Sequence, residues 1–179
     1  LFALSAALRV IFLLEFGSSP TFSTPIIDSA SYDRVARVMA TDWMLDPELF
    51  WHGFLYPAYL SLVYALSGGS VAAARFLQAF LSGFTAVAVY FLGRRLFDTK
   101  TGILAGILTS AYGPLIFYDT EILATGMASL LAPLVIILAI RAEGETDPSR
   151  YLIYGVCAGL AVLTRATFLP YALSLIHIS

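Results

Sequence analysis

Five long apolar runs dominate the 179-residue sequence, and each approaches the roughly 20 residues that a helix needs to cross a bilayer. Charged residues make up only 12% of the chain, whereas a soluble domain usually carries about 25%. An all-α, polytopic transmembrane helix bundle with about five spans is therefore predicted. The net charge of −2, without a basic patch, excludes a nucleic-acid-binding protein. The predicted spans are residues 1–16, 71–92, 102–118, 122–140 and 151–171.

The two ends of the sequence suggest a segment of a larger membrane domain. The first residue, Leu1, already lies inside an apolar run, and the last run is followed by no polar loop. We therefore interpret residues 1–172 as the N-terminal part of a transmembrane domain. Residues 173–179 are interpreted as a non-native tail and carry no functional argument.

The first two predicted spans are separated by a long loop, residues 17–54, of a length that is uncommon without a function. Within it, residues 29–41 predict an amphipathic helix that lies along the membrane surface. A second apolar piece, residues 55–66, is too short to span and is tyrosine-rich, which indicates an interfacial helix. The apolar stripe of the first helix is formed by Tyr32, Val35, Ala36, Met39 and Ala40.

The distribution of basic residues predicts the orientation. The connection between the second and third spans carries Arg94, Arg95 and Lys100, which places it in the cytoplasm by the positive-inside rule. The long first loop then faces outside. Counting spans onward brings several polar side chains to this outer face: Asp28, Arg75, Asp119, Glu121 and Arg165.

Asp28 has two compatible interpretations. As the residue before the amphipathic helix, it is suited to cap the exposed N–H groups of the first turn. A carboxylate at a membrane surface can also act as a general base that removes a proton from an acceptor hydroxyl.

Asp119 and Glu121 form an acidic pair in a predicted turn at residues 118–121. A tight turn between spans needs polar residues, and Asp is common there. Alternatively, two carboxylates so close in sequence suit a hard divalent cation such as Mg²⁺ or Mn²⁺.

Arginines near the ends of apolar helices, here Arg75 and Arg165, either extend to the lipid head groups or bind a phosphate. Arg9, inside the first run, either does the same or pairs with Glu15. His52 is an ordinary interfacial residue or a sugar or metal contact, and Tyr32 and Tyr56 are further candidate substrate contacts.

Several stretches, taken in order, resemble the N-terminal part of GT-C-fold glycosyltransferases. The resemblance is to the family 39-like enzymes (dolichyl-phosphate-mannose-protein mannosyltransferases) and to the bacterial RgtA/B/C/D-like group. It lies in the order and spacing of five stretches: IDSASYDRVA (27–36), GFLYPAYL (53–60), ARFLQA (74–79), YFLGRRLF (90–97) and GLAVLTR (159–165).

The resemblance implies a membrane glycosyltransferase that moves a sugar from a polyprenyl-phosphate carrier, with inversion, to a lipid, glycan or protein acceptor at the extracytoplasmic face. Asp28 would be the base, Asp119 or Glu121 a second acidic group, and Arg75 and Arg165 the ligands of the lipid phosphate. A bacterial inner membrane is expected. A fragment of a secondary transporter remains the alternative, since Gly126 and Pro133 could mark a broken helix, and a non-enzymatic membrane scaffold is a third possibility.

Overall fold

The computed structural model describes residues 1–42, 53–144 and 147–170. Within these ranges the secondary structure is helical and contains no strand, which confirms the all-α fold. Eight helices are described: α1 (Phe2–Phe16), α2 (Asp28–Asp42), α3 (Leu55–Ser67), α4 (Val71–Leu96), α5 (Thr99–Ala111), α6 (Gly113–Thr120), α7 (Thr125–Ala142) and α8 (Pro148–Thr164).

Two described helices, α4 and α7, are long and apolar enough to cross a membrane, and the pair α5–α6 makes a third if it counts as one bent span. This is fewer than the five spans predicted from the apolar runs. The helices in the first and last runs, α1 and α8, have 15 and 17 residues. The helix bundle itself is confirmed.

The predicted span at residues 102–118 is broken at Tyr112. Helices α5 and α6 meet there at an angle of 58°. Tyr112 has an extended backbone (φ −71°, ψ 105°), and α6 restarts with a proline in its first turn. Pro114 has no N–H group to donate to the Ser110 carbonyl four residues earlier, so the apolar run continues while the helix does not.

The central element is α4, which packs against α1, α5 and α7, while α8 packs against α7. The start of α4 is capped by Ser70, whose side chain accepts a hydrogen bond from the Ala73 amide. Small residues allow a close approach to α5: a Cβ atom on Gly102 would lie 2.7 Å from the carbonyl oxygen of Tyr90. Such small-residue contacts are the usual way in which helices pack tightly in lipid.

The amphipathic helix α2 covers residues 28–42, one residue more at each end than the predicted 29–41, and most of its apolar stripe is buried. The stripe does not face a membrane surface, because it packs on α3: Tyr32 and Ala36 share a core with Tyr56 and Leu60. The start of α4 and the turn at residues 121–124 complete this core. The predicted surface helix is therefore a packed part of the protein, and it holds Asp28 in a fixed position.

The predicted turn at residues 118–121 is also displaced. Asp119 lies in the last turn of α6, and Glu121 is the first residue after that helix. The turn itself follows at residues 121–124.

Candidate active site

Asp28 and Glu121 line one pocket of about 290 Å³, which we name the Asp28 pocket. Most of its wall is apolar, and two of its polar groups are carboxylates. It is formed where the loop after α1, the start of α2 and the end of α6 meet. Its lining comprises Phe16, Thr21, Ile26, Ile27, Asp28, Ser29, Phe117, Glu121 and Leu123.

Asp28 is the first residue of α2, and its side chain is exposed. The Ser29 amide donates to the Ile26 carbonyl. The Ala30 and Ser31 amides donate to the Ile27 carbonyl, so the cap position is Ile27, one residue before the predicted one. A carboxylate in the first turn is still favoured by the positive end of the helix dipole. The helix start thus presents an exposed carboxylate to the pocket.

Glu121, in contrast, is held in place. Its Oε2 atom accepts a hydrogen bond from Nη2 of Arg75 at 3.2 Å, and it lies 3.5 Å from the hydroxyl of Ser29, which donates to it. The Glu121 side chain is only 14% exposed. Of the two pocket carboxylates, Asp28 is therefore the one open to solvent.

Arg75 lies behind the pocket and is fully buried. Besides Glu121, its guanidinium donates to the backbone carbonyls of Thr21 at 3.2 Å, Phe22 at 3.1 Å and Thr120 at 2.8 Å. It also lies over the ring of Phe16, 5.2 Å from the centroid. Arg75 is thus not extended toward the lipid head groups, and it ties the loop after α1 to the end of α6.

Gln78, one turn along α4, completes this connection and was missed by the sequence analysis. Its Nε2 atom donates to the carbonyls of Asp119 at 3.0 Å and Glu121 at 2.6 Å. Its Oε1 atom accepts from the Tyr56 hydroxyl at 2.8 Å. Two polar residues spaced i, i+3 in an otherwise apolar helix were the available signal. Together Arg75 and Gln78 donate to the carbonyls of residues 119 and 120, which close the C-terminal end of α6 and have no partner within the helix.

Asp119 does not belong to the pocket. It forms a fully buried ion pair with Arg9, whose Nε and Nη2 atoms donate to Oδ2 at 2.9 and 2.7 Å. Its other oxygen accepts from the Ser129 hydroxyl at 3.3 Å. The suggested partner of Arg9, Glu15, is therefore wrong.

The two acidic residues predicted as a cation site consequently bind different arginines. Across the described ranges 1–42, 53–144 and 147–170, no group of three His, Cys, Asp or Glu side chains could hold a metal ion. The donor set for Mg²⁺ or Mn²⁺ is not assembled by Asp119 and Glu121.

Tyr32 is close enough to both Asp28 and Arg165 for their charges to act on its phenol. Burial raises the pKa of the Tyr32 phenol, the positive charge of Arg165 opposes this rise, and the negative charge of Asp28 adds to it. The ring of Tyr32 meets that of Tyr56 edge to face, with centroids 5.0 Å apart. Both tyrosines are buried, so they shape the core beneath α2 and do not line the pocket.

Arg165 follows the last residue of α8 and is exposed, and its Nη2 atom donates to the Thr125 hydroxyl at 3.2 Å. The sequence candidate His52 lies outside the described residues. The structure therefore places Asp28 and Glu121 in one pocket, and it places Arg75 and Asp119 in buried contacts. Arg165 and Asp28 both act electrostatically on Tyr32.

A family model described as dolichyl-phosphate-mannose-protein mannosyltransferase matches residues 51–178, well over half of the chain. The match includes α3 to α8 and hence Arg75, Glu121 and Arg165, whereas Asp28 precedes it. Neither a curated protein nor a solved structure matched the sequence.

Proposed function

Because the chain belongs to the dolichyl-phosphate-mannose-protein mannosyltransferase family and is thus a membrane glycosyltransferase of the GT-C type, we propose that it transfers a sugar from a polyprenyl-phosphate carrier to an acceptor with inversion. Membership of a transferase family favours this function over the transporter and scaffold alternatives. The acceptor is a lipid, a glycan or a protein with a hydroxyl or equivalent nucleophile.

Asp28 acts in this proposal as the general base. A single-step inversion needs one group that removes the acceptor proton as the new bond to the sugar forms. The observation that carries the assignment is the exposed Asp28 carboxylate in a largely apolar pocket, beside a Glu121 carboxylate that Arg75 already engages. Glu121 is largely buried against Arg75, whereas the exposed Asp28 carboxylate is accessible to an acceptor hydroxyl.

Arg165 is the proposed ligand of the departing lipid phosphate. The leaving phosphate gains negative charge in the transition state, and a guanidinium can stabilise that charge. Arg165 is exposed, and its positive charge lowers the pKa of Tyr32 while the negative charge of Asp28 raises it, so both groups act on the same phenol. Arg75 is a positioning residue in this scheme, because its buried guanidinium already donates to four protein oxygens.

The proposed orientation places the Asp28 pocket outside the cell. Arg75 lies near one end of the 26-residue helix α4, and Arg94 and Arg95 lie in its last turn. The positive-inside rule then assigns the end with Arg94 and Arg95 to the cytoplasm. The end with Arg75 and the Asp28 pocket lies at the extracytoplasmic face, here of a bacterial plasma membrane. A divalent cation stays a prediction from the sequence and has no role in this mechanism.

The test is Asp28→Asn in the full-length protein, assayed for sugar transfer from polyprenyl-phosphate-mannose to extracted membrane acceptors. Loss of a general base is expected to lower kcat by about 10²–10⁴-fold. The donor KM should change little, since the carboxylate is not proposed to bind the carrier phosphate.

Asp147→Asn is the matched control. Asp147 is also an exposed aspartate, and it caps α8 through the Ser149 amide, a role that Asn fills equally well. Its activity should equal that of the wild type. If a folded Asp28→Asn protein turns over like this control, Asp28 is not the base.

A further inference from the structure

Four arginines gather at the opposite end of the bundle from the Asp28 pocket. They lie in the last turn of α4, in the last turn of α7 and near the start of α8, and we name them the arginine cluster: Arg94, Arg95, Arg141 and Arg150. They line two neighbouring cavities of about 580 and 340 Å³, and Arg95 and Arg141 line both. The proposed sugar transfer makes no use of these groups.

The cluster carries a surplus of positive charge. One carboxylate, that of Glu143, lines the larger cavity beside three of the arginines, and a second, that of Asp147, interacts electrostatically with Arg150. Arg94 lies 3.5 Å from the Tyr90 hydroxyl, and Arg150 lies 3.5 Å from the Arg141 carbonyl. Within residues 1–42, 53–144 and 147–170, neither Arg95 nor Arg141 forms an ion pair. Like charges held near one another repel, and a bound anion would relieve that repulsion.

The same cavities have apolar walls. Ile137 and Phe91 line the smaller one, and Leu138, Ile140 and Ile153 line the larger one. The side chains of Phe91 and Ile153 are 47% and 55% exposed. A ligand that satisfies both features needs an anionic head and a hydrocarbon tail.

The position of the cluster agrees with such a ligand. Both α4 and α7 are long enough to cross a membrane, and the arginines lie at their ends, where lipid head groups are found. Basic pockets between transmembrane helices are suited to anionic lipid head groups, and guanidinium groups bind phosphate oxygens in a two-pronged geometry.

We propose that the arginine cluster binds the phosphate head group of an anionic phospholipid, with its acyl chains along Phe91, Ile137 and Ile153. The lipid would connect the ends of α4, α7 and α8. A free phosphate could satisfy the arginines, but it would leave the apolar walls without a partner. The lipid is thus the occupant that the charge and the walls favour together.

The experiment titrates the full-length protein, purified in a neutral detergent, with phosphatidylglycerol or phosphatidylcholine and counts bound lipids by native mass spectrometry. Phosphatidylglycerol is expected to bind more tightly than phosphatidylcholine. Arg95→Gln and Arg141→Gln should each weaken phosphatidylglycerol binding about fivefold, the effect expected for one arginine near an anionic surface.

Lys100→Gln is the matched control, because Lys100 is an exposed cation of the same connection that lines neither cavity. It should leave the affinity within about twofold of the wild type. Arg141→Lys keeps the charge and should retain most of the binding. Only variants whose unfolding temperature equals that of the wild type enter the comparison, so that a loss of binding does not reflect a loss of folding.

Three results would overturn the proposal: equal affinity for the two lipids, an equal loss in Lys100→Gln, or displacement of phosphatidylglycerol by millimolar glycerol phosphate. The last result would identify a site for soluble phosphates.

Discussion

Arg9 and Asp119 connect α1 to α6 through an ion pair whose two side chains are entirely buried. The guanidinium also donates to the Ser5 hydroxyl at 2.6 Å, and the carboxylate accepts from Ser129. With these additional hydrogen bonds the pair is well satisfied, and removing only one member leaves an uncompensated charge.

The first prediction concerns this pair. Asp119→Asn is expected to lower the free energy of unfolding by about 3–5 kcal/mol, because Arg9 stays charged in a dry site. The double variant Arg9→Met/Asp119→Leu should be less destabilised than Asp119→Asn. Unfolding temperatures in detergent measure both effects. A stable Asp119→Asn protein with lost transferase activity would instead give Asp119 a role in the chemistry.

The second prediction separates the two arginines that the sequence assigns to the lipid phosphate. Lysine cannot reach the four oxygens that Arg75 binds, so Arg75→Lys should cost about 1–3 kcal/mol of stability. Arg165→Lys, at an exposed position, should change stability by less than about 0.5 kcal/mol.

In kinetic assays Arg165→Lys should have the larger effect on donor binding and raise the donor KM. Arg75→Lys should instead lower the fraction of active protein. A raised donor KM in Arg75→Lys alone, at full stability, would transfer the phosphate role to Arg75.

The third prediction concerns Gly53, which has φ +74° and lies against the end of α8. A Cβ atom there would approach the carbonyl oxygen of Thr164 to 2.6 Å. Gly53→Ala should therefore destabilise the protein by more than the roughly 1–2 kcal/mol of left-handed strain alone.

Gly68→Ala supplies the comparison, because Gly68 has a similar φ of +66° with open space around it. The excess loss in Gly53→Ala, measured as unfolding temperature, reports the contact between the start of α3 and the end of α8. Equal losses of unfolding temperature in the two variants would mean that the contact between residue 53 and the end of α8 does not contribute to stability.

The fourth prediction concerns pH. Burial raises the pKa of Tyr59 to about 12, so the folded protein holds this proton more tightly than the unfolded chain does, whose phenol titrates near pH 10. The associated stability is fully present below about pH 10 and is lost as the pH rises toward about 12. Burial also raises the pKa of Tyr64, which adds to the same alkaline loss.

Tyr59→Phe should make this alkaline decline in unfolding temperature shallower, and it should also stabilise the protein near neutral pH. Among the described residues the buried Tyr59 hydroxyl has no hydrogen-bond partner, and such a group costs about 1–3 kcal/mol. Tyr112→Phe, at an exposed tyrosine, is the control and should alter neither property. A steeper decline in Tyr59→Phe would contradict the assignment.

Sequence patterns predicted the features that depend on residues close in sequence, namely the helices and their apolar faces. The stripe from Tyr32 to Ala40 has helical spacing, so α2 and its buried face follow from periodicity alone. The packing of that face on α3 was not predicted, because periodicity shows that a face is apolar and not what covers it. The break at Tyr112 was likewise missed, since hydropathy continues through Pro114 although the helix does not.

Long-range pairs were beyond such patterns. Arg9 and Asp119 are 110 residues apart, and no local spacing relates them. The nearer Glu15 was the only acidic candidate that local reasoning could offer. Gln78 is a polar residue in a helix already marked by Arg75, and its two carbonyl partners exist only because α6 ends beside α4.

The contacts of Arg75 and Gln78 also impose an order on biosynthesis. Both side chains leave the ribosome some forty residues before the carbonyls at 119–121 that they bind. Until those residues arrive, the two polar groups of α4 must be solvated by water or lipid head groups, because hydrocarbon offers them nothing. Arg9 is synthesised 110 residues before its partner Asp119, so its interval without that partner is longer still. We therefore expect the start of α4 to reach its final packing only after residues 119–121 have been synthesised, because those residues supply its hydrogen-bond partners.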